Sequence, residues 1–366
     1  MNANRRVVIT GRGVLSPLGC DWLSFAAAVR AGDAAIAGPF PGALLDDPIL
    51  CYRLSDPEAL TPFVSGREAE PLSALAIAAA KEAMDEAGIA PEGSPLDDVG
   101  LVMNTVFGPS AAVESYLEKL WTHGPRAGRP SRFVDTLLSM PASRAGIALR
   151  LRGSTAVLGG SSPFELALDW VRFGREHTVV AGGGEYQSPK SMRYYRVLAA
   201  GSGAERALLA QAAAFIVLET RDHAEARGAT PLAELLGVGV ASEPQQISLP
   251  WSGDKEGRVF ACAMRNALAE ASVTLEGVSS VALAAGDDAA EAGELAALRA
   301  VFGERSGSLT LLRPKRLLGE GLGAAAGLNL LATLAQLEAN GETVALVNAF
   351  ELGGVVTSLV LRVLPS

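Results

Sequence analysis

The sequence is poor in the side chains that carry out covalent chemistry. Its 366 residues include three cysteines, Cys20, Cys51 and Cys262, and three histidines, His123, His177 and His223. An odd number of cysteines without Cys-x-x-Cys spacing supports neither a disulfide framework nor a structural zinc site, and nothing in the pattern calls for a metal or a cofactor. Charged residues make up 19% of the chain, with Lys and Arg (31) outnumbered by Asp and Glu (40) for a net charge of -9. That balance gives no basic surface of the kind nucleic acid or an anionic membrane demands. No apolar stretch approaches the roughly 18 residues of a membrane span. The start, Met1-Asn-Ala-Asn running straight into a strand, shows no basic segment followed by an apolar one, so a cytoplasmic location is expected. The chain also has no Gly-x-Ser-x-Gly, His-Glu-x-x-His or Walker loop. Gly11-Arg-Gly13 follows a strand, but Ser16 stands where a dinucleotide turn needs its third glycine.

What is present is a large apolar content, 49% of the chain, patterned as short β-branched runs separated by Ala-rich helical stretches. This alternation predicts a sheet covered by helices, an α/β fold. The predicted strands of the first half are Val7 to Thr10, Gly100 to Val106, Thr155 to Leu158, Thr178 to Ala181 and Ala213 to Glu219. Those of the second half are Leu232 to Val240, Ser280 to Ala284, Ser308 to Leu312, Thr343 to Asn348 and Ser358 to Val363. Predicted helices run over Leu75 to Ala87, Pro163 to Phe173, Arg258 to Ala271, Ala290 to Phe302 and Leu322 to Ala339, several closed by glycines such as Gly88, Gly174 and Gly341. The same order occurs twice, which predicts a duplicated domain with halves at 1–228 and 229–366.

Three segments carry a specific likeness. They are Arg5-Arg-Val-Val-Ile-Thr-Gly-Arg-Gly13, Lys315-Arg-Leu-Leu-Gly-Glu320-Gly-Leu-Gly-Ala-Ala-Ala-Gly327 and Asn348-Ala-Phe-Glu-Leu-Gly-Gly354. They resemble the elongating β-ketoacyl-acyl carrier protein synthases, whose patterns are Arg-Arg-Val-Val-x-Thr-Gly-x-Gly, Lys-Ser-x-x-Gly-His-x-x-Gly-Ala-Ala-Gly and Asn-Ser-Phe-Gly-Phe-Gly-Gly. The resemblance implies the thiolase-like fold, duplicated five-stranded α/β halves in a five-layer αβαβα sandwich. It covers most of the chain, is thin from Pro39 to Val64, and meets a shortened segment from Gly201 to Gln211.

The family's reaction needs a thiolate to carry the acyl chain and imidazoles to stabilise enolate and oxyanion. None of these groups stands where the resemblance implies it. The cysteine turn matches Arg152-Gly-Ser-Thr-Ala-Val-Leu-Gly-Gly160-Ser-Ser-Pro163, in which either Gly160 or Ser162 takes the nucleophile's place. Ala284 replaces the first histidine and Glu320 the second, while Lys315 of that motif is retained. Leu352, preceded by Glu351, replaces the gating phenylalanine. The three histidines lie in polar contexts expected of ordinary surface residues. Ser162 before Pro163 reads as a helix N-cap, and Glu320 with Lys315 as an ion pair filling the site.

Such a chain is similar to chain-length factors, the inactive partners of heterodimeric ketosynthases in type II polyketide and polyene pathways. The resemblance then implies a catalytic ketosynthase subunit and acyl carrier protein as partners, with Arg144, Arg150 and Arg152 as candidate docking cations. It also implies an interface along Thr178 to Ala181 and its flanking helices. Tunnel-lining positions fall on Ser110 to Trp121 and Phe133 to Met140, with Tyr116, Leu117, Leu120, Phe133 and Leu137 as candidates. Two other readings stay open: a repurposed acyl hydrolase or malonyl decarboxylase using Ser162 and Glu320, and a scaffold or acyl-binding homodimer.

Overall fold

The computed structural model describes residues 5–40, 49–63, 70–90, 95–200, 208–242, 256–338 and 343–364. Ten strands form one sheet: β1 (Val7–Leu15), β2 (Val99–Thr105), β3 (Thr155–Gly159), β4 (Thr178–Glu185), β5 (Ala212–Thr220), β6 (Ala233–Ser242), β7 (Val278–Ala282), β8 (Thr310–Leu312), β9 (Thr343–Glu351) and β10 (Val355–Val363). The helices that matter here are α1 (Pro71–Glu86), α2 (Ser110–His123), α3 (Met140–Ala148), α4 (Pro163–Arg172), α5 (Pro189–Ala200), α6 (Arg258–Ala271), α7 (Asp288–Phe302) and α8 (Ala325–Leu337).

Strand order is the same in both halves. The sheet reads β8-β7-β9-β10-β6-β1-β5-β4-β2-β3. Each half therefore runs first, fifth, fourth, second, third strand outward from the middle. Pairing senses repeat as well: β2 is parallel to β3 and β4, as β7 is to β8 and β9. The fourth and fifth strands pair antiparallel in both halves. The halves join where β1 meets β6 through Val8 opposite Glu234 and Ile9 opposite Ala233.

Three apolar clusters set the layers. The central one takes Phe164, Ala167, Leu168 and Val171 of α4 and most of α8, packed against inner faces of both halves, including Val102, Val179 and Ile216 on one side and Val347, Leu359 and Leu361 on the other. A helix apolar all round must be enclosed on all sides, and α8 buries every residue except Gln336. Outside, α1 and α3 cover the first half and α6 and α7 cover the second. The result is the five-layer αβαβα arrangement of the thiolase-like fold.

Several expected boundaries shift for identifiable reasons. Strand β1 continues past Thr10 to Leu15 because Gly11 and Gly13 let α1 lie directly on it; a Cβ at Gly11 would sit 1.9 Å from the Ala83 carbonyl oxygen. The Gly-Arg-Gly segment is thus a helix-packing groove within a strand. Helix α1 begins earlier than expected, where the Glu70 carboxylate accepts from the Leu72 and Ser73 amides. The last helix starts as a 3-10 turn, Leu322–Ala324, before α8. Ala339, Gly341, the Gly201 end of the shortened segment and residues 41–48 of the thin stretch lie outside the described residues.

The expected interface strand is corrected. Thr178–Glu185 is buried along its whole length and paired on both sides, to β2 and β5, while α4 buries one face in the central layer and leaves Glu165 exposed on the other. The strand order sends the third strand to the rim instead: Thr155–Gly159 is half-exposed and pairs only with β2. The opposite rim, Thr310–Leu312, has three residues.

Candidate active site

Strand β3 ends at Gly159 and the chain turns into α4 through Gly160, Ser161 and Ser162. Gly160 has φ 77°, a left-handed conformation that favours glycine, and a Cβ there would meet the Leu352 carbonyl oxygen at 2.9 Å. Ser162 is the N-cap of α4, its hydroxyl accepting from the Phe164 amide at 3.4 Å. It shares no hydrogen bond with Glu320 among the described residues.

Glu320 is buried and paired. Its Oε2 accepts from Lys315 Nζ at 2.7 Å and its Oε1 from the Leu322 amide at 2.9 Å; Lys315 is 6% and Glu320 5% exposed. The main chain here is held from both sides, Glu320 N donating to Leu208 O and its carbonyl accepting from Ala210 N, each at 2.8 Å. Tyr52 closes over the neighbouring Gly319. Lys315 is thereby fixed as the counter-charge of a carboxylate where the family pattern has an imidazole.

Ala284 is buried beyond the end of β7. Its amide and that of Ala285 donate to the Glu294 carboxylate, each at 3.0 Å, and Asn348 Nδ2 donates to the same carboxylate at 2.7 Å. Glu185 accepts from the Val106 and Phe107 amides at 2.8 and 3.1 Å. Burial pushes the Glu185 and Glu294 carboxyls up to about 7 despite these donors.

Glu351 completes the group. It is 1% exposed; Asn104 Nδ2 donates to its Oε2 at 3.3 Å, and its Oε1 has no hydrogen-bond partner. Burial, reinforced by the nearby Glu320 charge, pushes this carboxyl up to about 8, which favours its acid form. Asn104 also accepts from the Gly160 and Ser161 amides at 3.0 and 3.3 Å and donates to Gly323 O at 3.3 Å. A single amide side chain thus ties β2, the Gly160 turn, the Gly323 turn and the end of β9.

Gly160, Glu320, Lys315 and the Glu351–Leu352 pair are thus brought together in the structure. Asn104, Glu185 and Glu294 were missed. The available signal was a polar residue ending each of two otherwise apolar strands, Asn104 after Val-Gly-Leu-Val-Met and Glu185 after the Gly-Gly-Gly run.

No thiol joins this group. Cys51 is buried in the same apolar cluster as Leu209, Leu322 and Phe350, and burial pushes its thiol up, which disfavours the thiolate. Cys20 and Cys262 lie elsewhere on partly or fully exposed positions. His177 and His223 stack on each other with centroids 5.7 Å apart, and His223 Nδ1 lies 2.9 Å from Glu219.

The tunnel candidates are not buried. No residue of α2 is buried; Tyr116, Leu117 and Leu120 are half-buried, and Phe133 and Leu137 are exposed at 52% and 41%. They are not core residues of this chain. Tyr116 and Phe133 face each other with ring centroids 6.0 Å apart. Trp121 of the same helix and Val134 and Leu138 of the same segment are also exposed.

Tyr116 opens onto a cavity of about 720 Å³ that also receives Lys119, His123, Arg126, Arg129 and Arg132. Of the arginines singled out from sequence, Arg144 is tied at 2.5 Å to Asp135, an acid that lines the same cavity and also pairs with Arg132 at 3.4 Å, and Arg152 lies 3.7 Å from Asp97. Among the described residues no helix is long and apolar enough to cross a membrane.

Comparison with known proteins agrees with this geometry. Residues 4–219 match the model of the beta-ketoacyl synthase N-terminal domain and residues 232–348 that of its C-terminal domain. Nodulation protein E of Rhizobium leguminosarum bv. trifolii is 31% identical over 358 residues, covering 92% of this chain and 87% of that protein. The 3-oxoacyl-[acyl-carrier-protein] synthase 2 of Coxiella burnetii is 26% identical over 365 residues, covering 92% and 86%. Among solved structures, the AntDE:AntF complex, a type II polyketide synthase acyl-carrier protein with its ketosynthase bound to the hexaketide, superposes with TM-score 0.84 at 19% identity, covering 98% and 99%. The ishigamide ketosynthase/chain length factor superposes with TM-score 0.83 at 22% identity, with the same coverage.

Proposed function

The chain belongs to the β-ketoacyl synthase family, and from that premise we propose that it is a non-catalytic subunit, a chain-length factor, that pairs with an active ketosynthase and bounds its acyl tunnel during elongation on acyl carrier protein. One observation supports the reading: a buried Glu320–Lys315 ion pair occupies, with Gly160 and Ala284, the positions at which the sequence resemblance implies a thiolate and two imidazoles. Without sulfur there is no acyl-enzyme, and without imidazole no stabilised enolate. On this reading Gly160, and not Ser162, takes the nucleophile's place, because Ser162 serves as the helix cap.

What remains for such a chain is to shape space. The rim strand Thr155–Gly159 offers unpaired main chain for a partner strand. Around this region Trp121 of α2, Tyr194 and Val197 of α5 and the Phe133–Leu138 segment leave a face with large apolar side chains exposed among polar ones. Tyr116, Phe133 and Leu137 on that face would limit the growing chain sterically. The cations around the Tyr116 cavity suit an acidic carrier protein.

The test is reconstitution with a ketosynthase that retains cysteine and histidines, plus carrier protein. The pair is expected to form 3-oxoacyl products of defined length and this chain alone none. Turnover by the chain alone, abolished by Ser162→Ala or Glu320→Gln, would overturn the proposal in favour of a repurposed hydrolase or decarboxylase.

A further inference from the structure

We infer that Asn104 and Glu351 act together as a latch that fastens the Glu351–Gly354 loop onto the Gly160 turn and closes this chain's own acyl seat. The inference takes from the preceding reading only that the Gly160 turn is where the family holds its acyl group. It goes further in one respect: the seat is shut as well as chemically empty, so supplying a nucleophile would not reopen it.

The geometry is direct. Asn104 spends its carbonyl oxygen on the Gly160 and Ser161 amides and its amide on Glu351 and Gly323. The loop beyond Glu351 is a tight turn, with Gly354 N donating to Glu351 O at 3.2 Å and Gly353 and Gly354 at φ 99° and 85°. It delivers the Leu352 carbonyl to the space a Cβ on residue 160 would occupy. In the family pattern the residue matching Glu351 is glycine, free to hinge. Here a fully buried carboxyl replaces it and is tied to a neighbouring strand. A loop tethered by a buried side chain has one arrangement where a glycine hinge has several.

The charges around the latch decide when it holds. Facing Glu351 are Glu320 and Lys315 from the Pro314–Glu320 segment and Glu185 from β4, and Glu294 of α7 interacts with the same Lys315. Protonated, Glu351 adds no charge to this group. Ionised, it places a second negative charge beside Glu320 and leaves Oε1 without a donor, so the closed loop is favoured by the acid form.

The experiment compares hydrogen exchange in the wild-type chain with Glu351→Gly, Asn104→Ser and Glu351→Gln, in whatever assembly the chain purifies. The expected result is at least tenfold faster exchange at the Gly160 and Ser161 amides in Glu351→Gly and Asn104→Ser, with Glu351→Gln retaining wild-type protection. In the wild type, protection at these amides should also fall as pH rises through about 8, and in Glu351→Gln it should not. A second arm places a thiol at the turn with Ser162→Cys, where the side chain is buried and the backbone extended, so that the thiol does not itself push the loop away. Peptide mass mapping should find it unreactive toward iodoacetamide with the latch intact and alkylated once Glu351→Gly is added. Unchanged exchange at Gly160 and Ser161 in Glu351→Gly, or equal alkylation in both backgrounds, would sink the inference. Neither arm measures product or partner binding, so the outcome is independent of whether the chain sets product length.

Discussion

Lys315 Nζ lies 2.7 Å from the Glu320 carboxylate with both side chains buried. Taking two charges out of water costs several kcal/mol each, and their attraction offsets this only while both are present. The pair is thus a commitment: with Glu320 in place, the lysine five residues before it cannot be removed cheaply.

Lys315→Met should therefore destabilise the protein by about 3–5 kcal/mol, since it strands a buried carboxylate. The double substitution Lys315→Met with Glu320→Leu should recover most of that loss, because neither charge is then buried. Urea unfolding of the single and double variants checks both; a mild single variant would mean that water reaches the pair.

The buried acids predict an alkaline loss of stability. Burial raises Glu185 and Glu294 to about 7 and Glu351 to about 8, above the ordinary carboxyl value. A raised acid contributes stability that is fully present below its unfolded pKa and lost as pH rises through the folded one. Melting temperature should accordingly decline between about pH 4.5 and 8, and Glu351→Gln should decline less. The opposite limb belongs to Glu234, which Arg6 holds below the usual carboxylate range. Its contribution is present above the unfolded pKa and disappears as pH falls through the folded value. A Glu351→Gln curve parallel to wild type would refute the burial argument.

Tyr116 and Phe133 face one another on the exposed helix surface. Replacing either by alanine in the reconstituted pair should lengthen the product by one or more extender units without reducing total turnover more than about threefold, because a steric stop is removed and no reacting group is touched. Mass spectrometry of carrier-bound products gives the answer, and unchanged lengths in both variants would place the stop elsewhere.

Arg126→Ala with Arg129→Ala should weaken association with carrier protein by about tenfold at low salt, the difference fading as ionic strength screens it. Titration at two salt concentrations checks this. A loss independent of salt would point to a packing defect instead.

Much of this molecule is legible in its sequence because each strand and helix is locally consistent. All ten strands of the main sheet lie where β-branched runs placed them, and α4 opens at Pro163 behind the Ser162 cap as its residue types require. The Lys315–Glu320 pairing was legible because both residues sit in one gap-free motif. Asn104 was not: its partners, Gly160, Gly323 and Glu351, are separated from it by 56, 219 and 247 residues. Nothing local marks such contacts. The interface strand was misplaced for a related reason, since sequence shows that Thr178–Glu185 is a strand but not that β2 and β5 flank it.

The two rims of the sheet differ in what they can receive. One ends in the five residues Thr155–Gly159; the other ends in the three residues Thr310–Leu312, followed at once by Arg313 and Arg316 clasped to Glu291. A strand needs several consecutive hydrogen bonds to dock, so only the first rim offers purchase. Strand pairing at the first rim would join two bodies and leave, among the described residues, no comparable edge for a third.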